Sequence, residues 1–278
     1  MPDLIGNLSK MRVDIDDNNV AQYFLSLADQ DVHMNTLIGQ QVCIEFQSQI
    51  NCVHCGRKTN KSFQQGYCFP CFRSLAQCDT CIIKPEQCHF AQGTCREPEW
   101  GEANCMQDHF VYLANTGAVK VGITRHVTDG VSSRWIDQGA TQAMAIFRVA
   151  TRKISGLVET TIAQHISDKT NWRTMLKGGY AAIDLVERWQ ALKPLVEDEL
   201  KALIASEGLQ SISEVEANPV QIEYPVLQHP EKIKSLNLDK VPVIEGQLLG
   251  IKGQYLLFDG DRVFNIRNAA GYYAQVSS

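Results

Sequence analysis

Nine of the ten cysteines in this 278-residue chain fall between Cys52 and Cys105. The first four form two Cys-x-x-Cys pairs, Cys52 with Cys55 and Cys68 with Cys71, and twelve residues separate the pairs. Each pair offers two thiolates to one ion and the loop between lets the pairs face each other, so the spacing predicts a tetrahedral four-thiolate zinc site. Beyond it, Cys78, Cys81, Cys88, His89, Cys95 and Cys105 supply six candidate ligands. One tetrahedral ion takes four, and the irregular spacing does not choose among the six. A second metal is expected there, either zinc or an iron–sulfur cluster. A disulfide framework is the other common use of so many cysteines, but it belongs to small exported domains. Residues 1–13 include Asp3 and Lys10 and carry no apolar run of leader length, so a reducing cytoplasm is the expected compartment. Cys43 stands alone in Val42-Cys43-Ile44 and reads as a residue of a strand core.

A second set of reactive types follows the cysteines. Phe110–Ala114 and Val119–Thr124 read as two strands joined by an Asn115-Thr116-Gly117 turn, with Tyr112 on the first and Lys120 and Gly122 on the second. Ser132-Ser133-Arg134 opens a short helix, and a strand is expected around Met144–Ala150. A longer helix is expected over about 155–168. On that helix, at 100° per residue, Val158, Ile162, Ala163 and Ile166 span an apolar arc of about 140° with Glu159 inside it. An acid in a core-facing stripe needs a cation or a metal, unless it reaches the rim or pairs with a structural arginine.

Charge supports a phosphate partner for this segment. The chain carries a formal net charge of −5, which taken alone argues against a nucleic-acid binder. From His109 to Gly179, however, nine basic residues face four acidic ones, and the flanks hold the acidic excess. Arg125, Arg148, Arg152 and Arg173 are the candidate nucleic-acid contacts, although a solvated mixed surface has the same composition. Trp172 beside Arg173 could stack on a base or pack across a domain edge.

The order of these elements resembles the GIY-YIG endonuclease superfamily. Val111-Tyr112 stands for its first motif and Lys120-Val121-Gly122 for its second, with Arg134 as the helical arginine and Glu159 as the metal ligand. Lysine in place of the second tyrosine is similar to the phage-associated branch. The cysteine region also resembles an uncharacterised bacterial family in which zinc knuckles precede such a domain. The likeness to the endonuclease superfamily covers about residues 109–175. It implies metal-dependent phosphodiester hydrolysis, with Tyr112 as or beside the general base and Arg134 clamping the scissile phosphate. Glu159 would hold one Mg2+ or Mn2+, and Lys120 would supply a cation where the family usually has a phenol. The stretch from Gly122 to Arg134 exceeds the family's usual spacing, and Gln138 occupies a position where a proton-relaying residue is usual.

The remaining elements must position both sets. Residues 1–51 read as three or four short strands, and 52–108 as the cysteine-rich module that folds with its metal. Residues 109–179 form the GIY-YIG-like unit. Residues 180–207 are helical, with Pro194 kinking the run or starting a new helix, and 208–278 are β-strands set off by glycines. The fold class expected is α+β: a zinc ribbon or knuckle and a small α/β domain, flanked by N- and C-terminal strands that combine into one barrel-like domain. No run of apolar residues is long enough for a membrane span. The function expected is a zinc-containing protein that binds DNA or RNA, with endonuclease activity. The alternatives are a non-cutting nucleic-acid adaptor and a module whose acidic flanks engage a protein.

Overall fold

The computed structural model describes residues 3–27 and 29–278. The N-terminal segment supplies β1 (Leu4–Asn7), β2 (Arg12–Ile15), β3 (Ala21–Leu27), β4 (Gln30–His33), β5 (Gln41–Asn51) and β6 (Lys58–Thr59). Alternation sets the faces: Ala21, Tyr23, Leu25 and Leu27 of β3 are buried while the residues between them are more exposed. The cysteine module follows with three short helices, α1 (Phe69–Ser74), α2 (Thr80–Ile83) and α3 (Pro98–Cys105). Next come β7 (His109–Asn115), β8 (Val119–Thr124), α4 (Ser133–Asp137), β9 (Gln142–Val149), α5 (Arg152–Ile162), α6 (Trp172–Lys177) and α7 (Leu185–Glu207). The chain closes with β10 (Ile212–Glu214), β11 (Val220–Gln221), β12 (Lys234–Leu236), β13 (Val243–Lys252), β14 (Tyr255–Phe258), β15 (Arg262–Asn265) and β16 (Tyr272–Ser277).

Strands from both ends of the chain share one sheet, in the order β1-β16-β5-β13-β14-β15-β12, with β6 also on β5. The expected barrel does not form, because β1 pairs with β16 and β12 pairs in parallel with β15, and these two ends stay apart. The apolar face is covered instead by the small β2-β3-β4 sheet and by α4. Tyr23, Leu25, Ile44, Ile251, Phe264, Val276, Trp135 and Ile136 share that core.

The hairpin β7-β8 lies in a third, antiparallel sheet, β10-β9-β7-β8, with β11 on the far end of β9. Residues 208–221 therefore join this unit rather than the C-terminal sheet, because β10 and β11 cover the edge that β9 would otherwise expose. Its two faces enter different cores. Val111, Leu113 and Val121 pack on α5 and α7, whereas Tyr112, Ala114 and Ala143 pack toward α4 and the large sheet.

Two helices differ from the sequence reading. The Thr151 hydroxyl accepts from Ile154 N–H and starts α5 at Arg152, three residues early. The helix ends at Ile162, after which the chain turns back and Ser167 C=O accepts from Val121 N–H at 3.0 Å. Helix α7 runs unbroken through Pro194, which sits on its exposed side. There a missing N–H is tolerated, because solvent can take the freed carbonyl.

Candidate functional site

Two groups of side chains carry chemistry, and the fold joins them. In the first, the Sγ atoms of Cys52, Cys55, Cys68 and Cys71 all lie within 4.8 Å of one another. Cys55 and Cys68 are 3.8 Å apart, about the edge of a tetrahedron of sulfurs at ~2.3 Å from one central ion. Cys52 follows β5 directly, and Cys68 caps α1, whose first turn carries Cys71. Burial pushes the Cys52 thiol up, but N–H groups of Cys55, Cys68 and His54 outweigh it and bring it to about 6. Four thiols so placed can hold a metal ion; Cys52, Cys68 and Cys71 are buried in a small core of their own with Leu75, Tyr67 and Phe72, while Cys55 is exposed.

The six candidates for a second metal divide. Cys78 packs under the first tetrad, among Cys52, Cys68 and Cys71. Cys81, Cys88, Cys95 and Cys105 line a separate small cavity together with His89. His89 Nδ1 meets the Thr94 hydroxyl at 2.8 Å, and its Nε2 lies 3.4 Å from Asp79. Asp79 is in turn paired with Arg96 at 2.8 Å and accepts from Thr80 N–H at the start of α2.

The second group is built on the hairpin. Tyr112 pairs with Gly122 and Ala114 with Lys120, so Tyr112 and Lys120 share one face of β7-β8. Glycine is required opposite the phenol: a methyl group on Gly122 would lie 2.5 Å from the Tyr112 oxygen. Trp135 of α4 packs edge-on against the Tyr112 ring at 5.7 Å, and Gln138 Nε2 donates to the Tyr112 hydroxyl at 2.5 Å. Ser132 starts α4 by accepting from Arg134 N–H, which leaves the Arg134 side chain exposed on the first turn. Glu159 comes from the third turn of α5.

Electrostatics tie these side chains into one site. Tyr112 has Arg134 and Glu159 as charged neighbours, and Lys120 has Arg134, Glu159 and Asp168. Burial pushes Glu159 up to about 7, with the nearby Lys120 opposing that shift. Burial likewise pushes Lys120 down to about 8, helped by Arg134 and opposed by Glu159. Each charge thus loses more to desolvation than it recovers from its neighbours. Among the described residues neither Glu159 nor Lys120 makes an ion pair within 4.0 Å.

Two residues at the site were not among the sequence candidates. Asp168 belongs to the turn after α5 and neighbours both Lys120 and Glu159. Arg267 neighbours Arg134, and its Nε donates to Gln65 of the cysteine module at 2.6 Å. Arg267 lies in the far C-terminal segment, and no local pattern links it to Arg134.

The four arginines proposed as nucleic-acid contacts separate. Arg173 is exposed and stacks over Trp172 at 4.3 Å, while Trp172 lies flat on Tyr255 at 5.5 Å and so packs across the junction with the C-terminal sheet. Arg148 is exposed and bound to Asp108, with its Nε at 2.7 Å. Arg125 and Arg152 turn inward, Arg125 to Asn104 at 2.6 Å and Arg152 to the Ile82 carbonyl at 2.6 Å. Both of the inward pair hold the cysteine module instead of facing solvent.

The module and the hairpin unit meet at α5. A methyl group on Gly156 would lie 2.3 Å from Glu86 N and 2.7 Å from Pro85 C, so only glycine lets this helix carry the backbone of the module. One turn farther along the same helix is Glu159. Among the described residues no helix is long and apolar enough to cross a membrane.

No curated protein and no solved structure matches the chain. A protein-family model described as "Protein of unknown function (DUF2797)" matches residues 39–274, from just before β5 to the middle of β16 and including both groups of side chains. The match covers most of the sequence, and the chain belongs to that family.

Proposed function

We propose that this protein is a zinc-stapled nucleic-acid-processing protein whose β7-β8 hairpin, α4 and α5 form a phosphodiester-hydrolysis site. The observation that carries the reading is the meeting of Tyr112, Lys120, Arg134 and Glu159 around one sheet edge, from four separate elements. The GIY-YIG-like order of those residues gives the reaction class, and the family description adds no activity of its own.

The roles follow from the surroundings of each group. Arg134 is exposed and planar, suited to a bidentate grip on phosphoryl oxygens. Lys120, pushed down to about 8, remains largely cationic at neutral pH and adds a second positive charge. Burial raises Tyr112 and keeps its proton on, so the phenol positions neighbouring groups and does not itself take a proton from water. Glu159 is a partly buried carboxylate without an ion pair, and Asp168 stands beside it, a donor pair suited to a hard cation that keeps most of its waters. Mg2+ or Mn2+ held by these two carboxylates would neutralise phosphoryl charge and acidify a bound water. At the first tetrad, four thiolates at this spacing select zinc, which in a module with so little apolar core supplies the folding energy.

A second reading rests on the burial of Tyr112 and Lys120, 1% and 7% exposed. In it the site binds nucleic acid through Arg134 without cutting. Cleavage of single- and double-stranded DNA and RNA with Mg2+ or Mn2+ separates the two. Cutting that disappears in both Arg134→Ala and Glu159→Ala supports the hydrolase. Binding that falls steeply with salt and produces no cutting supports the second reading. Absence of both overturns a nucleic-acid role.

A further inference from the structure

Three side chains of different chemistry converge where α2 begins. Asp79 caps the helix, Cys81 lies on its first turn, and His89 follows the turn at Pro85–Gln87. A carboxylate oxygen, a sulfur and an imidazole nitrogen, one from each, all lie within 4.8 Å of one another. The three residues border a cavity of about 10 Å3, enough for a single water.

The hydrogen bonds around His89 decide which of its nitrogens is free. The Thr94 hydroxyl donates its one proton to the His89 carbonyl at 3.3 Å, so in its 2.8 Å contact with Nδ1 the ring is the donor. Nε2 of the neutral ring therefore carries a lone pair, and Asp79 Oδ2 lies 3.4 Å from it. Two acceptors set side by side repel unless a cation lies between them. A shared proton would draw them to ~2.7–2.9 Å. Two donor atoms each ~2.1 Å from one tetrahedral zinc stand ~3.4 Å apart, which is the separation found.

The contacts behind the group are those of metal ligands. Thr80 N–H donates to Asp79 Oδ1 at 2.6 Å, and Arg96 Nε donates to Oδ2 at 2.8 Å. Each carboxylate oxygen has two lone pairs, so Oδ2 keeps one for an ion. Arg96 is itself held by the Phe72 and Leu75 carbonyls, at 3.2 and 3.3 Å. Thr94 and Arg96 thus orient the imidazole and the carboxylate as outer partners. The Cys81 thiol is free. Cys88, Cys95 and Cys105 line the cavity, but none has its sulfur within 4.8 Å of all three donor atoms. With no fourth protein ligand in the group among the described residues, the remaining tetrahedral position falls to a water in the cavity.

We infer that Asp79, Cys81 and His89 bind a second zinc ion, completed by one water and separate from the metal at Cys52, Cys55, Cys68 and Cys71. The ion ties together the two ends of the segment that α5 carries, where Arg152 donates to the Ile82 carbonyl and Gly156 admits the backbone of Pro85 and Glu86. It therefore fixes the cysteine module against the helix that bears Glu159. The assignment does not depend on the hydrolase reading.

The test uses the full chain, produced with added zinc, assayed for metal content and for zinc coordination by X-ray absorption. About two zinc ions per chain are expected. Four sulfurs at the first ion and one at the second make five of eight ligands, at ~2.3 Å, and the other three are nitrogen or oxygen at ~2.0–2.2 Å. Asp79→Ala, Cys81→Ser and His89→Ala should each lose one zinc and keep the other, whereas Cys88→Ser, Cys95→Ser and Cys105→Ser should keep both. A single zinc in the wild type, iron in place of the second zinc, or an environment of sulfur alone overturns the inference. So does the second zinc retained in His89→Ala or lost in Cys95→Ser. Stoichiometry and coordination of the wild type decide the matter even if a variant fails to fold.

Discussion

The Tyr112 hydroxyl lies against the bare Cα of Gly122, its partner across the hairpin, with no room for a methyl group between them. The phenol is held on its other sides by Trp135 and Gln138. Gly122→Ala should therefore push a rigid, buried ring, at a cost of about 1–3 kcal/mol in stability. Cleavage should fall with it, because Tyr112 also neighbours Arg134. Thermal unfolding and a cleavage rate measured side by side check this; an alanine variant equal to wild type in both would refute the packing described.

Gly156 poses two opposed effects. Alanine favours a helix over glycine by about 1 kcal/mol. Against that stands a contact of 2.3 Å with the backbone of Glu86, which cannot rotate away. The clash should win, so Gly156→Ala is expected to lower stability by about 1–3 kcal/mol and to loosen the cysteine module from α5. Faster proteolysis within residues 76–105 would report the loosening.

Removal of the first metal should unfold the cysteine module without unfolding the sheets. Cys52→Ser, or a strong zinc chelator, is expected to release zinc and to lower the first unfolding transition, because this segment has little apolar core apart from its thiols. Zinc content and calorimetry check it, and unchanged zinc in Cys52→Ser would exclude that cysteine as a ligand.

Lys252 gives a pH dependence. It is 2% exposed, touches the Tyr180 and Tyr224 rings, and is pushed down to about 8 by burial. Its ordinary value is 10.5, so between about pH 8 and 10.5 the unfolded chain holds a proton that the folded chain has released. Stability should therefore rise with pH across that window, by at most roughly 3 kcal/mol from this group. Lys252→Met should make the rise smaller and leave the share that Lys120 contributes, since burial pushes Lys120 down to about 8 as well. Denaturant midpoints at pH 7.5 and 10 for both proteins test the sign, and a wild type that loses stability relative to the variant would contradict it.

Sequence reading located what is set locally. The Cys-x-x-Cys pairs and the hairpin through Tyr112 and Gly122 depend on short-range spacing, and the structure places them as that spacing implies; the amphipathic stretch bearing Glu159 is helical too, but it ends at Ile162, before Ala163 and Ile166. It did not reach what is set by contact between distant segments. Arg267 and Asp168 arrive beside Arg134 and Glu159 through tertiary packing, and the inward turn of Arg125 and Arg152 depends on where the cysteine module docks. The same limit explains the barrel: strand alternation fixes which residues face the core, but not whether the ends of a sheet meet. Six thiol and imidazole groups in one irregular loop could be sorted only by their positions in space.

The most direct test of the account is single-turnover cleavage of a labelled nucleic acid by wild-type protein and by Glu159→Gln, with Mn2+ present and with it chelated. The account predicts Mn2+-dependent cutting by wild type and a loss on the order of 10²–10³-fold in Glu159→Gln, with zinc content unchanged. Equal cutting by the two proteins, or cutting indifferent to the chelator, would contradict it.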